Sequence, residues 1–237
     1  MELQHVSVMG DRPLGPIDLS VGEGDAVVVL GLPGAGKTSL LRLLCGLDFP
    51  SAGTFKLFGG SVETLGYFRL RALFDRVAVV FDRGGIWANR TVVENIVLPM
   101  AYRLNRSVVS LVTDPRFDML LEAFELRQAC DATTMSLDES EKRRILWARA
   151  LYTNPDVLLV DEAQNGISRA HARSIAQLLA DERRKRNMTI VYTDADGRIA
   201  PFEADRPVVM HERRLIPGAV RLPEASQAAP GTVEGCP

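Results

Sequence analysis

The sequence has few cysteines, no long apolar run and no dominant charge, and each shortage excludes something. Its three cysteines, Cys45, Cys130 and Cys236, lie far apart and form no CxxC pair. That leaves neither a disulfide framework nor a cysteine-held metal centre, and points to a reducing compartment. Acidic and basic residues nearly balance, 30 against 28, for a formal net charge of -2. With no global basic field, nucleic acid is not expected as a partner. No apolar run approaches the ~18–20 residues that cross a bilayer. The opening MELQHVSVMGDRP also lacks the basic start and apolar run of a signal peptide. If a membrane is involved, a partner supplies the spanning segments. No internal repeat and no guanine-specific N-K-x-D motif is found.

What is present is an alternation of strands and helices. Hydrophobic residues make up 46% of 237, enough for one α/β domain with a helical insertion or two small domains sharing a core. The runs Ala26–Leu30, Val77–Phe81, Val157–Val160 and Thr189–Thr193 are continuous and β-branched, as buried strands are. Helical patterns cover Lys37–Leu47, Phe68–Phe74, Glu139–Tyr152 and Arg169–Arg186. Thr91–Leu137 is also helical, with a loop near Thr113-Asp-Pro115. Glu2–Val8, Leu14–Val21, Thr54–Phe58 and a closing hairpin, Val208–His211 with Arg214–Ile216, read as shorter strands. The fold class is therefore α/β with a largely parallel sheet. The Ala-, Pro- and Gly-rich tail, 217–237, is expected to be loose.

Gly31-Leu-Pro33-Gly34-Ala35-Gly36-Lys37-Thr38 fits the phosphate-loop pattern G-x-x-x-x-G-K-[ST], with Ser39 next. A buried strand precedes it and a helix follows, which a mere Gly-rich turn with a surface lysine does not require. The glycines let successive N–H groups turn inward onto phosphate oxygens, and the helix start adds positive potential. Lys37 then reaches the β- and γ-phosphates, and Thr38 ligates Mg²⁺. The strand Val157–Val160 ends in Asp161-Glu162. Two acids after a strand are often only a solvated loop. Downstream of a phosphate loop they suit Mg²⁺ binding by Asp161 and activation of the attacking water by Glu162.

These two motifs, with Ala148-Arg-Ala-Leu151 and Asn154-Pro155, resemble the ATP-binding subunits of ATP-binding-cassette (ABC) transporters over residues 2–216. The resemblance implies a P-loop NTPase with a RecA-like core, an antiparallel β-subdomain and an α-helical subdomain at about residues 91–140. It implies ATP and Mg²⁺ as cofactors. It also implies a transmembrane permease and a second ATPase subunit as partners, and a place on the cytoplasmic face of the inner membrane. In that family each ATP sits between one subunit's phosphate loop and the other subunit's signature motif.

Several family positions are altered. Where the family has a glutamine, Phe81 is followed by Asp82, whose carboxylate can still touch Mg²⁺. The signature L-S-G-G-E aligns with Leu137-Asp-Glu-Ser-Glu141. Acids there suit a helix start but repel a partner's phosphate, by about 4 kcal/mol for unit charges ~4 Å apart at an effective dielectric of ~20. Asp194 stands where the switch histidine is expected, and His5, His171 and His211 lie elsewhere. Met9 stands near the adenine-stacking aromatic, and Asn165-Gly-Ile-Ser168 replaces S-A-L-D. Arg144 and Arg149 read as ordinary helix-face residues.

The run from Phe81 through Gly84-Gly-Ile-Trp87, with Asn95-Ile-Val-Leu-Pro99, is similar to the Mla/Mce lipid-transport branch, which implies phospholipid as cargo. Trp87 either anchors a permease there or packs inside the domain. The cis half of the site is thus intact and the trans half eroded. That leaves open a slow transport ATPase or a non-hydrolysing subunit paired with an active one. A stand-alone P-loop enzyme lacks an evident acceptor site.

Overall fold

The computed structural model describes residues 1–11, 13–195 and 204–216. The tail expected after Pro217 lies outside the described residues. Two sheets organise the rest. A six-stranded sheet runs in the order β10-β9-β3-β8-β7-β6, from Arg214–Ile216 (β10), Arg206–His211 (β9), Ala26–Leu30 (β3), Thr189–Asp194 (β8), Val157–Val160 (β7) and Val77–Val80 (β6). All its pairings are parallel except the β9–β10 hairpin. A four-stranded antiparallel sheet holds Leu14–Ser20 (β2), Glu2–Val8 (β1), Ala52–Leu57 (β4) and Gly60–Ser61 (β5), in that order.

The all-apolar strands are explained by a core on each side of the parallel sheet. Successive side chains of a strand point to opposite faces. In β3, Ala26, Val28 and Leu30 enter one core, and Val27 and Val29 enter the other. β7 divides likewise, Leu158 and Val160 against Val157 and Leu159. The first core takes in Val92–Leu104 (α3), Pro115–Ala123 (α5), Glu139–Tyr152 (α6) and Arg169–Arg186 (α7). The second takes in Lys37–Leu44 (α1) and the antiparallel sheet.

Some boundaries differ from those the sequence predicts. α1 ends at Leu44 rather than Leu47, because Gly46 turns the chain at φ 75°. The helix read at 68–74 begins one residue earlier, as α2, Tyr67–Phe74. Phe58 and Gly59, both with positive φ, form a tight turn that adds β5. The stretch expected to be helical with one loop is broken more often. Asn105, at φ 50°, ends α3. A short α4, Val108–Leu111, follows, then α5 and single 3-10 turns at Arg127–Ala129 and Thr134–Ser136.

Candidate nucleotide site

The parallel strands β3, β7 and β8 end on one edge, and the expected phosphate and acid residues gather there, as α/β ligand sites do. Gly31 follows β3, and Gly36, at φ 104°, caps the start of α1. Only glycine holds that conformation without strain. A Cβ on Gly31 would lie 2.7 Å from the Met210 carbonyl oxygen, too close for any side chain. Lys37 is buried; its Nζ donates to the Gly31 carbonyl at 2.5 Å and lies 2.9 Å from Glu162 Oε1. Thr38 Oγ1 donates to Asp161 Oδ2 at 2.7 Å, and Thr193 Oγ1 donates to the other oxygen at 2.8 Å. Glu162 sits at φ 46°, a left-handed turn held by its N–H donating to Thr193 Oγ1 at 2.8 Å. Leu32, Pro33, Gly34, Ser39 and Asp82 line the same cleft. Ala35 is buried in the second core behind it.

The altered positions fall into distinct environments. Asp82 Oδ1 accepts from Asn165 Nδ2 at 2.9 Å, so the two substitutions meet each other. Asp194 is buried, accepts from Gln164 Nε2 at 3.0 Å and does not line the cleft. Asp138 is the N-cap of α6; its Oδ1 accepts from the Glu141 N–H at 2.7 Å, and Glu141 Oε2 accepts from the Asp138 N–H at 3.0 Å. This capping box satisfies the Asp138 and Glu141 N–H groups with each other's carboxylates. Met9 is exposed at the turn between β1 and β2. Trp87 is partly exposed in a groove with Pro99, Tyr102 and Arg149.

Arg144 and Arg149 are not ordinary helix-face residues. Arg144 is buried and donates to the carbonyls of Phe124 and Glu125. Arg149 donates to the Gly85 carbonyl at 2.6 Å and lies 5.1 Å from the Trp87 ring centre. Burial lowers its pKa to about 10. Helical spacing does not show that a loop carbonyl waits above a given turn. It also missed Arg143, which donates to the carbonyls of Phe81, Asp161 and Glu162, and Thr193, which orients Asp161. A further residue, Arg213, lines the cleft. Its partners are backbone atoms of Ala35, Gly15 and Pro13, so the sequence carried no signal for it.

The donors suit magnesium, since hydroxyl and carboxylate oxygens stand together without a thiol or imidazole. Among the described residues no group of three or more His, Cys, Asp or Glu converges as a complete cage. Magnesium ordinarily takes few protein ligands and completes its shell with phosphate and water.

The family profile described as ABC transporter matches residues 14–165. The chain belongs to the ABC transporter ATP-binding family. That family uses ATP with Mg²⁺. Among curated relatives, the chain is 36% identical over 203 residues to the methionine import ATP-binding protein MetN 2 of Paraburkholderia xenovorans, covering 86% of this chain and 52% of that protein. It is 34% identical over 209 residues to MetN of Caulobacter vibrioides, covering 87% and 61%. The chain thus spans half to three fifths of the length of these relatives. The fold is similar to the dimeric ATP-binding cassette MJ0796, with a TM-score of 0.79 at 22% identity over 90% of this chain and 95% of that one. It is also similar to cbiO1 of Clostridium perfringens, with a TM-score of 0.72 at 21% identity over 91% and 86%. Neither relative is a lipid transporter by name, so the similarity to the lipid branch gains no support.

Proposed function

We propose that this ABC chain, as a domain of residues 2–216 with its helical part near 91–140, is the ATP-binding subunit of a transporter. It would hold Mg-ATP at Gly31–Ser39, on the cytoplasmic face of a membrane permease and beside a second ATP-binding subunit. The observation that carries this reading is the joining of phosphate loop and acid strand in one cleft, through Thr38–Asp161 and Lys37–Glu162. Bound magnesium supplies charge neutralisation for the phosphates. Thr38 and Asp161 would be its protein ligands, and Asp82, now held by Asn165, would be a third candidate. Lys37 exchanges Glu162 for the β- and γ-phosphates as nucleotide enters. Glu162, so released, is the group placed to polarise the attacking water. The cargo is met by the permease. The relatives' names support methionine import over the phospholipid expected from the Trp87 segment.

A second reading has its own observation, the self-capped α6. With the amides of Asp138 and Glu141 each paired to the other's carboxylate, this helix start presents acids where a partner's phosphate would approach. The subunit then serves an asymmetric pair, in which only one ATP is completed in trans, or binds ATP without turning it over.

Steady-state ATP hydrolysis by the chain, alone and with its permease, tests both readings beside Lys37→Ala and Glu162→Gln. Clear Mg-ATP binding with weak hydrolysis is expected. Unchanged binding in Lys37→Ala would sink the phosphate-loop assignment. Turnover abolished by Glu162→Gln marks a working motor, and tight binding without Glu162-dependent turnover marks the non-hydrolysing alternative.

A further inference from the structure

We propose that Arg213 is a nucleotide-binding residue whose guanidinium pairs with the phosphate tail held at Gly31–Ser39. The proposal rests on the reading of that cleft as the ATP site and adds a residue to it. Arg213 belongs to the two-residue turn between β9 and β10. Its backbone is tied to both neighbouring elements: its N–H donates to the Ala35 carbonyl at 2.9 Å, and its own carbonyl accepts from the Gly15 N–H at 2.9 Å. The chain there lies against the phosphate loop. Arg213 Cα and Cγ are 3.2 and 3.3 Å from where a Cβ on Gly36 would sit.

Two features single this residue out from a surface arginine. The first is its backbone. At φ 63° it shares the left-handed region with Glu212, at φ 44°, as a two-residue hairpin turn requires, and that turn is hydrogen-bonded to the phosphate loop. The second is charge. Three carboxylates, Asp82, Asp161 and Glu162, line the cleft, and Lys37 is already engaged by Glu162. Among the described residues, Arg213 is the only other cation in that lining. A polyphosphate entering it meets acids that repel it, so a second cation matters more here than in a neutral pocket. A guanidinium carries five N–H donors in a planar fork suited to phosphate oxygens. One, on Nη1, donates to the Pro13 carbonyl at 3.1 Å, which holds the side chain between the β1–β2 turn and the phosphate loop.

The test is calorimetric titration of Mg-ATP, Mg-ADP and adenosine into the wild-type chain, Arg213→Gly, Arg213→Lys and Lys37→Ala. Glycine suits the turn, so Arg213→Gly is expected to keep or raise the melting temperature without nucleotide. Its Kd for Mg-ATP and Mg-ADP is expected to rise about tenfold, the effect of losing one charge-assisted hydrogen bond. Arg213→Lys should recover part of that loss, adenosine affinity should not change, and the ATP effect should shrink in high salt. Should Arg213→Gly loosen the turn, Arg213→Asn, which also tolerates left-handed backbone, supplies the same comparison. Wild-type ATP affinity in both variants overturns the proposal, and so does an equal loss for adenosine. Failure of the wild-type chain itself to bind Mg-ATP removes the parent reading instead.

Discussion

Arg143 shows how a single side chain fixes the acid edge of the sheet. It is buried, yet it carries a guanidinium that donates to the backbone carbonyls of Phe81, Asp161 and Glu162. Burial lowers its pKa, partly offset by the charges of Asp82, Asp161 and Glu162. The residue stays charged and ties α6 to the ends of β6 and β7. Arg143→Met keeps the length and strips the donors, taking that partner from the Phe81 and Asp161 carbonyls, while the Glu162 carbonyl keeps the Asn165 N–H at 3.0 Å. A loss of about 2–4 kcal/mol is expected, read from urea denaturation. ATP turnover should fall more than ATP affinity, because the Glu162 turn loses its support while the phosphate loop does not. The meeting of Lys37, Thr38, Asp161 and Glu162 in one cleft was legible in the sequence, because a motif places residue types at fixed spacing after a strand. Arg143, Thr193 and Arg213 were not legible, because their partners are backbone atoms or come from distant strands.

At the scale of elements, the strands were legible because double-sided burial demands continuous apolar runs, as in Ala26–Leu30. The helical insertion was less so, since its breaks depend on caps. Thr91 and Glu94 form the box that starts α3, Ser107 caps α4, and Asp114 caps α5 with Pro115 at its first turn. These signals lay in the sequence, and the apolar periodicity running across them concealed the breaks. What joins the helices is equally hidden. Glu182 of α7 accepts from Arg116 of α5 at 3.1 Å and from Arg186 at 2.5 Å, while Arg116 also donates to the Leu151 carbonyl at the end of α6. Burial pushes the Glu182 carboxyl up, but the two arginines outweigh it and hold its pKa below the ordinary 4.5. A depressed folded pKa adds stability that is fully present above the unfolded value and is lost as pH falls through the folded one. Urea midpoints should therefore drop on going from pH 7 to below 4.5. Glu182→Gln should lower the midpoint at pH 7 and flatten that part of the profile. An unchanged profile would show that the helix junction does not depend on this charge.

At the scale of the whole molecule, the cleft proposed for nucleotide lies where the two cores meet the same sheet edge. β3 feeds Ala26, Val28 and Leu30 into one core and Val27 and Val29 into the other, then runs directly into the phosphate loop. Anything that fixes the loop therefore leans on both packed layers at once. Binding to the folded state alone stabilises it by about 2.7 kcal/mol at a ligand concentration of ~100 Kd. For a chain of this size that corresponds to a rise of roughly 5–10 °C in melting temperature. Mg-ATP should produce such a rise, as a single cooperative transition, because no packed layer is independent of the strand that carries the loop. Lys37→Ala should abolish the shift. Glu162→Gln should retain it or enlarge it, since the amide no longer competes as an anion for Lys37. Differential scanning fluorimetry across a nucleotide series reads all three. A split transition, with only one part moved by Mg-ATP, would mean that the helical layer unfolds independently of the sheet and that nucleotide binding is felt on one side alone.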